Sequence, residues 1–185
     1  PAMMEQLLAT RQFTNGADRG AVLGLYDKTA RAILGGIKAL DFAGMQLGEE
    51  DEWCSPQRLA HALGYCASLE TLDLRATGLT DEYLEKLEGE LPPGSLPQLT
   101  RLRLDFNGFG ARGVHAIGGI LATCAPRLDR LECGGMEQGD AVAEALADVL
   151  VSLPRNRHPR VVNLALSGVG CAGARAPAGA PTKTG

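Results

Sequence analysis

The stretch Leu99 to Leu121, LTRLRLDFNGFGARGVHAIGGIL, constrains the fold more than any other because weaker copies of it recur along the chain. Leu99, Leu102 and Leu104 mark a short strand, Asn107 and Phe109 follow in a tight turn, and Val114, Ile117, Ile120 and Leu121 recur at helical spacing. The same template matches at Ile37, Leu40 and Phe42, at Leu69, Leu72 and Leu74, at Leu128, Leu131 and Cys133, and at Val161, Leu164 and Leu166. The second apolar residue of each copy is therefore Leu40, Leu72, Leu102, Leu131 and Leu164. A period of about 30 residues leaves room for a full helix after each strand.

The pattern L-x-x-L-x-L-x-x-N-x-L, completed by a helix, resembles the leucine-rich repeat of the ribonuclease-inhibitor-like class. Repeat domains of innate immune receptors and of Ran GTPase-activating proteins share that class. The matching segment runs from about residue 37 to 171, and its best copies are 69–87 and 99–121. The resemblance implies an α/β solenoid, a short curved parallel sheet with outer helices, in about five repeats. Thr77 stands at the asparagine position of the second copy and can replace one of its hydrogen bonds, whereas Met45, Met136 and Val169 at the same position cannot.

Three regions follow. Residues 1–36 form an N-terminal helical cap, 37–171 the repeats, and 172–185, AGARAPAGAPTKTG, an Ala/Gly/Pro-rich tail with too few apolar side chains to bury a core. In the cap, Asp18 opens a helix whose Val22, Leu25, Tyr26, Ala30, Ile33 and Leu34 fall on one face. Ser55-Pro56 starts another helix, with proline at its first position.

Composition narrows the function classes. A net charge of -4 supplies no basic field for nucleic acid or an anionic membrane. No apolar run reaches the length of a membrane span. Aromatic residues make up 4% of the chain, which suits thin layers of leucine and alanine. Five cysteines with no C-x-x-C pair point to buried thiols in a reducing compartment. That places the protein inside the cell, in the cytoplasm or, where a targeting peptide has been removed ahead of Pro1, in an organelle.

Catalytic patterns are sparse. Gly108, Gly110 and Gly113 spell G-x-G-x-x-G between a strand and a helix, with Asp129 and Glu132 about 20 residues on, the spacing of a dinucleotide fingerprint. A nucleotide-binding enzyme is therefore a remote alternative. Against it, the second copy has only Gly78 in that stretch, and another G-x-G-x-x-G at 168–173 falls in a different register. His61, His115 and His158 show no metal-binding spacing, so neither a cofactor nor a metal is expected. Arg155, Arg157, His158 and Arg160 form the one basic cluster, in a loop where charge serves the preceding helix end.

What remains is a binding face. Residues between the strand leucines point to the open side of the sheet: Lys38, Ala39 and Asp41, Glu70, Thr71, Asp73 and Arg75, Thr100, Arg101, Arg103, Asp105 and Phe106, Asp129, Arg130 and Glu132, and Val162, Asn163 and Ala165. Asp73, Arg103 and Glu132 alternate in sign across neighbouring strands. The expected partner contacts are Arg75, Arg101, Arg103, Asp105, Phe106, Arg130 and Glu132, with Trp53 as an anchor on the rim. Five strands of about five residues project roughly 320 Å², less than the roughly 800 Å² each partner gives to a standard interface. The reading is a non-catalytic protein-protein interaction module, a structural or accessory subunit of a multiprotein complex; the alternative is a regulator of a small GTPase or other enzyme.

Overall fold

A computed structural model describes residues 16–48, 54–136, 138–165 and 167–168. The elements alternate: α1 (Gly16–Leu34), β1 (Ala39–Asp41), α2 (Pro56–Leu63), β2 (Thr71–Asp73), α3 (Asp81–Glu90), β3 (Arg101–Arg103), α4 (Ala111–Thr123), β4 (Arg130–Glu132), α5 (Gly139–Ser152), a 3-10 turn (Arg155–Arg157) and β5 (Val161–Asn163). The strands pair in chain order, all parallel, in one five-stranded sheet.

The register follows from burial. Leu40, Leu72, Leu102, Leu131 and Val162 stand side by side across the sheet. Together with Leu69, Leu74, Leu99, Leu104, Leu128 and Cys133 they face the helices, and every one of these leucines except Leu40 is at most 5% exposed. Val114, Ile117, Ile120 and Leu121 of α4 and Val142, Leu146 and Val149 of α5 close the core from the other side. Burial of a leucine contributes about 1.5–3 kcal/mol, so this apolar layer fixes both the register and the helix positions. Helices α4 and α5 approach closely at Gly118, where a β-carbon would stand 2.7 Å from Val149 Cγ2.

The last strand departs from the expected frame. Val162, not Leu164, is the partner of Leu131, so the final copy begins two positions earlier than its leucine suggests. Residues 162, 164 and 166 share one parity, and alternation alone does not distinguish frames two positions apart. In the observed frame Ser167 takes the asparagine position, is 1% exposed, accepts from the Met136 amide at 3.3 Å and donates to the Cys133 carbonyl at 3.2 Å. Val162 therefore packs against the core and not on the open face, while Val161 stands 38% exposed. Val169 lies outside the described residues.

Two further expectations are corrected. Each strand is three residues long, not about five. Helix α1 begins at Gly16, ahead of Asp18, and is rotated from the expected face: Val22, Leu25 and Ile33 are 38%, 66% and 64% exposed. The partly buried side is Leu23, Tyr26, Asp27, Ala30 and Leu34. Polar and ring contacts decide that rotation. The Tyr26 ring lies parallel to His61 at 6.3 Å, the Tyr65 hydroxyl donates to Asp27 Oδ1 at 3.1 Å, and Arg31 pairs with Asp27 at 2.8 Å.

Each of the first four strands leaves the sheet through a left-handed residue four positions after its central ladder residue. Gly44, Ala76, Phe106 and Gly135 have φ of 76°, 52°, 60° and 69°. Glycine adopts this region freely, whereas a β-carbon there costs roughly 1–2 kcal/mol. Ala76 is exposed and has no packing to lose. Ala76→Gly is expected to raise unfolding free energy by about 1 kcal/mol in a urea titration; an unchanged or lower midpoint would contradict the strain.

Candidate protein-binding face

The open side of the sheet carries a continuous ion-pair network across β2, β3 and β4. Asp73 binds Arg75 at 2.8 Å and Arg103 Nη1 at 2.8 Å. Arg103 Nε reaches Glu132 Oε2 at 3.0 Å, and Glu132 Oε1 accepts from Arg101 at 2.9 and 2.5 Å. The chain Arg75, Asp73, Arg103, Glu132, Arg101 thus spans neighbouring strands that the parallel register sets side by side. Both carboxylate side chains are 7% exposed, while Arg103, Arg75 and Arg101 are 25%, 34% and 41% exposed. Acid groups lie beneath, and guanidinium edges face out.

Burial alone would push both carboxyls up, but hydrogen bonds and charge from Arg75 and Arg103 hold Asp73 below the usual carboxylate range, and those from Arg101 and Arg103 do the same for Glu132. The pairing also raises Arg75, first through its hydrogen bond to Asp73. Asp73 does a second task, accepting the Arg75 amide at 3.2 Å, as Asp41 and Asn163 accept from Ala43 and Ala165 at 2.9 Å on their own strands. A short acceptor side chain at this position closes the turn after the strand.

Arg130 stands opposite Arg101 in the register and is exposed, and among the described residues it makes no ion pair. The acid beside it in sequence is already engaged: Asp129 pairs with Arg160 at 3.3 Å. Asp105 points the other way, 8% exposed, its Oδ1 accepting the Gly134 amide at 2.8 Å. Phe106 follows, 57% exposed at φ 60°. A β-carbon on Gly135 would collide with the Phe106 ring, so this glycine makes the shelf on which the ring lies. An aromatic residue held exposed in a strained backbone marks a position where stability is not the governing demand. Trp53 lies outside the described residues.

The other motifs resolve into packing and capping. Gly110 and Gly113 amides both donate to Asp81 Oδ1 at 2.7 Å, and the Gly108 amide donates to the Leu79 carbonyl at 3.1 Å. The N-terminus of α4, where a phosphate would sit in a dinucleotide site, is filled by a carboxylate from the start of α3. A β-carbon at Gly113 would lie 2.8 Å from Asp81 Oδ1 and 2.9 Å from Leu84 Cδ1, which accounts for that glycine. Asp81→Ala strips both amides of their acceptor and is expected to cost about 2 kcal/mol, read as a lower urea midpoint; nucleotide affinity appearing in this variant would restore the phosphate reading.

In the basic loop Arg157 donates to the Ala122 carbonyl, and His158 Nε2 to that of Leu153 at 2.9 Å, so two of its side chains cover helix ends. Cys66, Cys124 and Cys133 are buried free thiols, and burial pushes Cys66 and Cys133 up. Among the described residues no cluster of His, Cys, Asp and Glu is arranged to hold a metal, and no helix is long and apolar enough to cross a membrane.

Comparison with known proteins yields a likeness of fold. The structure described as "Leiomodin-1 Actin-Binding Site 2 (ABS2)" matches over 82% of this chain and 82% of its own, with a TM-score of 0.58 and 15% sequence identity. No family model and no curated protein matches the sequence.

Asp73 and Asp81 carry more of this arrangement than the sequence suggests. The signal for Asp73 is its place in the alternating row with Arg103 and Glu132. For Asp81 there is none, because its partners lie 29 and 32 positions away at the start of the next helix.

Proposed function

We propose that this chain is a leucine-rich-repeat solenoid of the ribonuclease-inhibitor-like class that works as a non-catalytic interaction module, a subunit or accessory of a larger protein assembly. Support for the repeat reading comes from the chain-order parallel register and the polar side chains at the asparagine position, Thr77, Asn107 and Ser167, all buried. Support for binding comes chiefly from one arrangement: guanidinium edges held outward by buried carboxylates beside an exposed, strained phenylalanine. The leiomodin structure, described as an actin-binding site, is an instance of a similar fold serving protein recognition. With strands of three residues the sheet itself covers roughly 19 by 10 Å, so the turns after the strands must share the contact.

The test places a photo-crosslinking residue at Phe106, with a control at Glu90 on the exposed part of α3. A protein partner trapped through position 106 and not through 90, in a complex much heavier than the chain's own 19.4 kDa, is the expected result. Purified actin serves as one named candidate in the same assay. Equal trapping at both positions, or a free species near 19.4 kDa, counts against the reading.

A further inference from the structure

We infer that the occupant of this face is an extended acidic segment of a partner protein, carrying paired carboxylates at one end and an apolar or aromatic side chain at the other. The inference rests on the interaction reading above and adds the chemistry of the ligand.

The charges carry the first half. Arg75, Arg103 and Arg101 share two carboxylates, Asp73 and Glu132, and Arg130 adds a guanidinium with no ion pair among the described residues. Asp41 and Asp105 also act on Arg75, so the cations left to meet a ligand are those on the Arg101 and Arg130 side of the face. Arg101 and Arg130 are direct register partners, and Glu132 answers only the first of these like charges. A carboxylate between them relieves that repulsion. Arg101 is held by Glu132 through Nε and Nη2, which leaves Nη1 for a ligand. A guanidinium already fixed by a buried carboxylate loses little freedom on binding, and its planar fork matches a carboxylate.

Geometry carries the second half. Phe106 lies five residues beyond Arg101, past the end of β3, where the chain turns out of the sheet. Its ring rests on Gly135 with one side open, a platform for an apolar side chain. Between the two ends lies Arg103. A partner segment passing along β3 and over the turn after it therefore meets charge, then charge, then ring, and acidic residues a few positions ahead of an aromatic one satisfy all three.

The probe is a fluorescein-labelled peptide, Glu-Glu-Gly-Ser-Gly-Gly-Phe, read by anisotropy with the full chain, beside an analogue with glutamine in place of glutamate. The acidic peptide is expected to bind at least about ten-fold more tightly than the glutamine form, and to weaken about ten-fold between roughly 0.05 and 0.5 M NaCl. Arg130→Ala, which disturbs no ion pair among the described residues, is expected to weaken it about five- to ten-fold. Arg155→Ala, in the 3-10 turn after α5, is expected to leave it unchanged. Phe106→Gly keeps the backbone conformation that Gly44 and Gly135 adopt at this position, so it folds, and is expected to weaken the peptide by a similar factor. Equal affinity for the two peptides, or equal loss in Arg130→Ala and Arg155→Ala, overturns the inference. Should crosslinking through Phe106 capture a partner that the acidic peptide does not displace, the acidic ligand falls and the interaction module stands; should neither occur, both fall.

Discussion

Asn107→Ala is expected to lower unfolding free energy by about 4 kcal/mol, a large share of what a single domain has to lose. The side chain is 5% exposed and completely used. Its amide group donates to the Leu74 carbonyl at 2.8 Å and the Leu104 carbonyl at 2.9 Å. Its oxygen accepts the Thr77 and Leu79 amides at 3.0 Å each. One residue therefore satisfies backbone groups after two successive strands, in a place water does not reach. Alanine orphans both amides and the Leu104 carbonyl, whereas Leu74 keeps the Thr77 hydroxyl at 2.7 Å. Each buried group left without a partner costs about 1–3 kcal/mol. Asn107→Thr is expected to recover about half, by the bond Thr77 makes after its own strand. Urea titration of the three proteins reads the order directly, and a loss below about 1 kcal/mol in the alanine form would show that the site rehydrates.

The second large effect belongs to Glu132. Removing it in Glu132→Ala leaves Arg101 and Arg103 facing Arg130 with Asp73 as the only carboxylate of the network, and breaking such a largely buried pair costs about 3 kcal/mol. Because Arg101 loses its support, affinity for an acidic ligand is expected to fall with stability, in contrast to Phe106→Gly, where the two separate. The pH dependence follows from the sign of the shift. Glu132 and Asp73 titrate lower in the folded chain than in the unfolded one: burial opposes this, and their arginine partners outweigh it. Their contribution is present above the unfolded carboxyl values of about 4 and is lost as pH falls through the lower folded values. Stability is thus expected to decline steeply below about pH 4 in the parent chain and more gently in Glu132→Gln. Superimposable acid limbs would show that the network does not couple to folding.

The two strong copies of the repeat are legible because their apolar residues do one thing. Leu69, Leu72, Leu74, Leu99, Leu102 and Leu104 are all buried, and the constant offset between the two triplets sets their strands in register. Legibility fails where the signal has a period of two and an ambiguous phase. Val162, Leu164 and Leu166 fit two frames equally, and only the buried hydroxyl of Ser167 and the pairing with Leu131 separate them. Helix α1 misleads for a different reason: its apolar residues extend around the helix, and its orientation is decided by Tyr26 and Asp27, whose partners His61 and Tyr65 are more than thirty positions away. The left-handed turn position is readable at Gly44 and Gly135 and silent at Ala76 and Phe106, since neither side chain advertises a positive φ. Among the site residues, Arg101 and Arg103 stand out by alternation along β3, but which arginine of the face is tied down and which is free depends on burial that only the folded sheet defines.

The strands of this sheet are joined by bonds that run from strand to strand, along the same line that connects its first strand to its last. Tension applied between those two ends would pull each interstrand bond along its own length, one strand pair after another, and would not shear several strands at once. With three residues in each strand, every step releases a few backbone bonds and one leucine layer. Under such a pull the sheet is expected to yield in small increments, as a chain of weak clasps and not as a single lock.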